Sequence, residues 1–441
     1  MASSTAHLSL PNASLFSFPP TNAPAFIPPP KAGSIPFAPP FDIPESVYQA
    51  WLDPVVPITI ATVYAVSAKL LNAYNRSNGK KPWAISKTRA FNAFVIFHNV
   101  FLAVYSAWTC WGMFGALSRT MVSPFGPDGV SGTLDSMCRL SGPSGYGNGV
   151  FYNEASRTWQ TYSPGVALSS GGQPLSTDTG RLWNEGLAFY GWIFYLSKFY
   201  EVLDTLIILA KGKFSSTLQT YHHAGAMMCM WSGMRYMSPP IWIFVFVNSG
   251  IHAMMYTYYT ITALKIRVPM FIKRSLTSMQ ITQFLLGGSL AMVHSFVTYA
   301  VPVVVNATQK ATPSARVSAE SVPGADVEQQ KTLIETPCIT SAAQTFGVWL
   351  NVVYLAPLTY LFISFFVQSY IKRSAAAEQK KKDRRYSDLA VTAEKAGWDA
   401  AKGVEREVYG ASNEQAVVDD TPNGHAITGA RANGRVLRSR S

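Results

Sequence analysis

Apolar residues along this chain gather into runs long enough to cross a bilayer, separated by shorter polar stretches. The runs cover about 55–71, 91–117, 183–209, 217–237, 240–264, 276–305 and 343–371. A helix needs about 20 mostly apolar residues to traverse the hydrocarbon of a membrane, and each run approaches or exceeds that length. The pattern predicts an all-α integral membrane protein with seven transmembrane helices over residues 51–372. Residues 1–50 are rich in Pro, Ser and Ala ("FSFPPTNAPAFIPPPKAGSIPFAPPF") and read as a disordered tail without the apolar content for a core. Residues 373–441 are charged and read as a second disordered tail.

Composition sharpens this picture. Hydrophobic residues make up 48% of the 441 and charged residues only 14%, where a soluble protein carries about a quarter charged. The net charge of +12 does not indicate a nucleic-acid partner, because the basic residues flank apolar runs, as in "NRSNGKKPWAISKTR" and "KRSAAAEQKKKDRR". Lys and Arg in short loops orient membrane helices toward the cytosol. Applied here, that rule makes 72–90, 210–216, 265–275 and the C-terminus cytosolic. The N-terminus and the long loops 118–181 and 306–342 are then lumenal. Cys138 and Cys338 fall in those two loops, where an oxidising lumen lets them pair, the alternative being two free thiols.

The apolar runs hold polar residues that a membrane penalises. A charged side chain at the centre of a membrane helix costs roughly 2.5–3.5 kcal/mol on insertion scales, so it is expected to be paired or functional. Lys198, Glu201 and Thr205 share one helical face, with Asp204 at its margin. Gln219, His222 and His223 share another, and His222 lies nine residues past Lys213, roughly 14 Å into the membrane. Asn248, His252, Tyr256 and Tyr259 form a narrow stripe. Gln280 and Gln283 follow Thr277 at successive threes, and Asn99 and Ser106 lie seven apart, with His98 beside them. Singly, each residue is explained as core polarity or helix stitching. Together they predict a polar chamber enclosed by the helices and open to a water-soluble substrate from the cytosol.

A di-iron centre is disfavoured by the histidine supply, seven in all with His7 and His425 in the tails. Gln219 is also a poor ligand for iron or zinc. One zinc on His222, His223 and His252 stays open, but no CxxC or HExxH accompanies it, and the expected metal content is none.

"KFYEVLDT", "LQTYHH", "NSGIHAMMYTYY" and "TSMQITQ", with "HNVFLAVYS" upstream, resemble the ordered boxes of the fatty acid elongase family over about residues 50–372. The resemblance implies a multi-pass enzyme of the endoplasmic reticulum membrane. It condenses a long-chain acyl-CoA with malonyl-CoA, releasing CO2 and CoA and giving a 3-oxoacyl-CoA two carbons longer. No cofactor is implied beyond these substrates. By the same resemblance His222 and His252 react, as acyl acceptor and partner, with His223 in support. Lys198, Gln280 and Gln283 orient the thioester and CoA groups, and Glu201 and Asp204 position Lys198 and the histidines. Asn99, Asn248, Tyr256 and Tyr259 donate to a developing oxyanion.

Gln219 departs from the histidine that most such boxes carry. The QxxHH form resembles members acting on polyunsaturated C18 chains, with a saturated or monounsaturated substrate as the alternative. Expected partners are membrane lipid and the reductases and dehydratase of an elongation cycle, with room for a homodimer and none for nucleic acid. A seven-span transporter or receptor is the non-enzymatic alternative.

Overall fold

The computed structural model describes residues 6–305 and 330–367. The C-terminal tail 373–441 and the loop residues 306–329 lie outside the described residues. In chain order the helices are α1 (Glu45–Trp51), α2 (Val55–Ser77), α3 (Arg89–Thr120), α4 (Gly129–Cys138), α5 (Ala188–Tyr200) and α6 (Val202–Ala210). They continue with α7 (Thr217–Arg235), α8 (Ile241–Ile243), α9 (Ser249–Ala263), α10 (Met270–His294) and α11 (Ala342–Phe366). Short strands β1 (Ala6–Leu8), β2 (Val150–Asn153), β3 (Thr158–Thr161), β4 (Val297–Val305) and β5 (Gln330–Pro337) lie among them.

Local chemistry sets the helix starts. Thr88 caps α3 by accepting from the Phe91 amide, Ser216 caps α7 from Gln219, and Ser341 caps α11 from Gln344. Pro54 precedes α2 and Pro269 precedes α10, where a missing amide proton costs nothing. Between α6 and α7 the chain turns at Gly212, whose φ is +75° and where a Cβ would lie 2.4 Å from the Lys80 carbonyl oxygen. Only glycine fits that approach.

By length and composition α2, α3 and α11 suit a membrane crossing. The other predicted spans are helical as well, but broken or more polar. The third is a π-helical turn over Trp183–Leu187 followed by α5 and α6, which meet at Glu201. The fifth carries a π-helical turn over Phe244–Asn248 between α8 and α9. Such turns re-aim side chains within a helix and are frequent at functional sites. Here one ends at Asn248 and the other contains the buried Glu185.

Three expectations are corrected. The protein is not all-α. β1, β4 and β5 form an antiparallel sheet in the order β1-β4-β5, and β2 and β3 form a hairpin. The sixth apolar run does not stay helical to residue 305: α10 ends at His294 and "VTYAVPVVV" forms β4. Its β-branched residues suit a paired strand, and an apolar run alone does not distinguish the two states. Residues 6–50 are not a loose tail but a packed strap, with Ile27 and Tyr48 buried in the main core. Proline-rich chain lacks its own secondary structure, yet its carbonyls remain acceptors. Ile27 accepts from the Trp183 indole at 2.9 Å and Pro24 from Arg235 at 2.9 Å.

The loop 118–181 and the β4–β5 hairpin form a compact cap. Cys138 and Cys338 are bonded to each other across a sequence separation of 200. Beside them Arg181 Nη2 donates to Asp135 Oδ2 at 2.6 Å, and Tyr299 donates to the other oxygen of Asp135 at 3.2 Å. Arg139 donates to the Cys338 carbonyl at 2.9 Å and to Thr336 at 2.7 Å. Burial pushes the Tyr299 phenol above its ordinary pKa, so it remains a donor.

Candidate active site

The break between α5 and α6 sets Glu201 inside the bundle, 1% exposed. Its Oε1 accepts from Lys198 Nζ at 2.7 Å and from Ser197 at 3.1 Å, and lies 3.4 Å from His252 Nδ1 on α9. Its Oε2 carries no hydrogen bond and lies 4.0 Å from His223 Nδ1 on α7. Lys198 also donates to Asn248 at 3.3 Å and sits 4.0 Å over the Phe194 ring. One carboxylate thus neutralises a buried ammonium and faces two imidazoles. A small shift of either ring would close the unmade bonds.

One turn further, Asp204 is held on both oxygens. His98 Nε2 lies 2.7 Å from Oδ1, and Tyr256 donates to Oδ2 at 2.6 Å. Thr205 meets the Tyr64 hydroxyl at 2.8 Å and accepts from Gln219 Nε2 at 3.2 Å. The same Gln219 nitrogen lies 3.3 Å from His223 Nε2. With Gln219 donating, His223 Nε2 is an acceptor and its proton sits on Nδ1, toward Glu201; this tautomer is inferred from the network.

These side chains surround a cavity of about 420 Å³ of atom-free space, open mouth included. Its polar wall is Asp204, Gln219, His222, His223, His252, Tyr256, Gln280 and Gln283, and its apolar wall is Leu218, Met255, Phe284 and Phe362. The His222 and His223 rings are perpendicular with centroids 5.2 Å apart. The His222 carbonyl accepts from Tyr354 at 2.8 Å. Its ring, only half-buried, has no hydrogen-bond partner among the described residues and borders the cavity.

The structure therefore gathers most of the residues expected from the sequence, in two layers. Lys198 and Glu201 stand behind the cavity wall, with Glu201 facing His223 and His252 of that wall. Asn248 is behind it too, donating to Gln283 at 3.3 Å. Asn99, buried on α3, and Tyr259, whose ring meets Tyr256 at 5.9 Å, are also absent from the wall. Asn99, Asn248 and Tyr259, expected from the sequence as oxyanion donors, thus lie outside the cavity wall. The amides that reach the cavity are Gln219, Gln280 and Gln283, and Gln280 also donates to Met255 Sδ at 3.4 Å.

Sequence reasoning gave no site role to His98 or Tyr64 and missed the apolar wall. His98 shares the buried stripe of α3 with Asn99 and Leu102, and the need of Asp204 for a donor was the available signal. Nothing in the apolar α11 singles out Phe362. Among the described residues no three ligand side chains converge as a metal would require.

Residues 50–378 match the ELO family, GNS1/SUR4. The chain belongs to that family. Within it, the chain is 29% identical over 205 residues to fatty acid elongase 2 of Trypanosoma brucei brucei, covering 46% of this chain and 64% of the relative. It is 33% identical over 110 residues to very long chain fatty acid elongase 3 of Homo sapiens, covering 25% and 41%. It is 35% identical over 103 residues to long chain fatty acid elongase 1 of Caenorhabditis elegans, covering 22% and 34%. The matched part of the chain spans less than two thirds of each of these elongases.

Cys229 is the other nucleophile near the histidine pair. It is 3% exposed, its Sγ points at the Leu350 carbonyl on α11 at 3.8 Å, and it does not border the cavity. Cys229→Ala is expected to keep most of the chain's activity in an acyl-CoA extension assay. A folded but inactive variant would move the nucleophile to that thiol.

Proposed function

We propose that this chain is a fatty acid elongase of the condensing type, a 3-oxoacyl-CoA synthase. It joins a long-chain acyl-CoA, of the polyunsaturated C18 class, to malonyl-CoA. The observation that carries the reading is the His222 ring, open to the cavity, while His223 and His252 beside it face Glu201 at 4.0 and 3.4 Å. A free, neutral imidazole is a nucleophile, and covalent catalysis divides a difficult condensation into two easier steps.

In the first step a His222 ring nitrogen attacks the thioester carbonyl, the C–S bond breaks, and CoA leaves as a thiol with the proton the imidazole gives up. In the second, malonyl-CoA loses CO2 and its enolate carbon attacks the acyl-imidazole. The C–N bond breaks, and His222 recovers a proton from solvent. The products are 3-oxoacyl-CoA, CO2 and CoA, and no redox cofactor is required. Gln280 and Gln283 hold the thioester oxygen where negative charge develops, the kind of stabilisation worth about 2.7–4 kcal/mol per well-aimed donor. His252, beside Glu201, handles the proton.

The reading includes a seven-span arrangement in the endoplasmic reticulum membrane, with the N-terminus lumenal and the C-terminus cytosolic. It also expects the reductases and dehydratase that process a 3-oxoacyl-CoA as working partners. It is supported by helical structure in each of the seven apolar runs and by a disulfide between the two loops assigned to the lumen. The test is chain extension in membranes containing the protein, given labelled malonyl-CoA and a panel of saturated, monounsaturated and polyunsaturated C16–C20 acyl-CoAs. Two-carbon extension, strongest with the polyunsaturated C18 members, is expected. Folded protein that extends none of them would shift the reading to a transporter or receptor.

Gln219 bears on the choice of substrate because it borders the cavity and touches His223. A neutral histidine there has one N–H to donate, where the two N–H groups of Gln219 Nε2 serve Thr205 and His223. Gln219→His is expected to lower activity on polyunsaturated chains relative to saturated ones in the same panel. An unchanged acyl profile would remove Gln219 as a determinant of specificity.

A further inference from the structure

The strap ahead of α2 is a packed segment that the proposed reaction does not use. It crosses the ends of four helices. The Arg119 guanidinium sits 3.9 Å over the Phe37 ring, and Phe41 meets Phe189 at 5.1 Å. Arg235 donates to the Pro24 carbonyl and Phe18 meets Phe346 at 5.6 Å. These contacts lie in the last turns of α3 and α7 and the first turns of α5 and α11. His98, His222, Glu201 and Phe362 lie toward the opposite ends of those elements. Strap and cavity therefore occupy opposite ends of the bundle. The span from His222 to Arg235, thirteen residues of helix, is about 20 Å, comparable with an extended long acyl chain.

Along that span α7 presents His223, Met227, Met230 and Met234 at i, i+4, i+7 and i+11, a single face. Met230 and Met234 belong to the same buried cluster as Ile27 and Tyr48 of the strap. The apolar wall of the cavity reaches that cluster too, because Phe244 packs against both. Methionine is the side chain best able to move aside for a flexible apolar guest. The family match begins at residue 50, so Ile27 and Tyr48 lie outside it.

We propose that the acyl chain of the substrate runs from the cavity along this methionine face, and that the strap closes the far end through Ile27 and Tyr48. The strap thereby sets the longest chain the protein extends. This rests on the acyl-CoA reading above.

The test uses full-length protein in membranes and acyl-CoAs of increasing length, each with a diazirine on its terminal carbon. Photolabelling is expected to move with chain length from peptides containing Met227 or Met230 to those containing Met234, Ile27 or Tyr48. Label that stays in place as the chain lengthens, or that falls on lipid-facing helices, overturns the end stop. Because labelling needs no turnover, it separates this failure from failure of the condensation reaction. Ile27→Ala and Tyr48→Ala are expected to shift the longest product upward by at least one two-carbon addition. Either variant extending acyl-CoA at the wild-type rate to the same longest product also overturns the stop.

Discussion

His222→Ala is expected to abolish chain extension, lowering the rate by at least about a thousandfold, the scale on which removal of an attacking group is felt. The same substitution should leave thermal stability nearly unchanged. The ring is half-buried and has no hydrogen-bond partner among the described residues, so its removal orphans no buried group. That separation of activity from stability distinguishes a reacting group from a structural one. His252→Ala makes the complementary case. It removes one imidazole facing Glu201 but leaves the His222 ring in place. Wild-type protein given acyl-CoA alone should release CoA and retain a labelled acyl group. His222→Ala should retain none, and His252→Ala should turn over slowly. Ping-pong kinetics follow from the same scheme; sequential kinetics with no trappable acyl-enzyme would overturn the covalent step.

What the sequence reveals of this site depends on how each residue announces itself. Lys198, Glu201, Asp204, the histidines and the glutamines stand out because a membrane segment penalises them, and helical spacing then groups them by face. Spacing within one helix says nothing of depth across helices. Asn248 and Tyr259 share a face with His252 and Tyr256 of the wall yet fall behind or beside it, and α3, which carries Asn99, contributes nothing to the wall. His98 was visible but unassigned, since its pairing with Asp204 joins residues 106 apart. The strap and the β4–β5 hairpin were misread for opposite reasons. A proline-rich segment without periodicity gives no sign that aromatic and arginine side chains elsewhere will hold it. The run at 297–305, by contrast, is apolar enough to pass as the continuation of a helix. The breaks at 183–187 and 244–248 left no trace in hydropathy, although the second sets Asn248 against Lys198 and Gln283.

The Lys198–Glu201 pair carries the second large effect, and a double substitution separates its two roles. Both side chains are nearly fully buried, 2% and 1% exposed. Glu201→Gln leaves the Lys198 ammonium facing a neutral amide and the Asn248 oxygen. Breaking a buried pair on one side costs about 3–5 kcal/mol, most of it the stranded charge. A marked fall in thermal stability is therefore expected, together with loss of extension. Adding Lys198→Met removes the stranded charge and should restore most of the stability, because replacing both members of a buried pair is often close to neutral. Activity should not return with it, since His252 and His223 would still lack the carboxylate their Nδ1 atoms face. The readouts are the melting temperature and extension rate of the two single variants and the double variant. A double variant that regains activity along with stability would make the pair a packing device and leave the histidines oriented by something else. One that is stable and inactive assigns Glu201 the orientation of both rings.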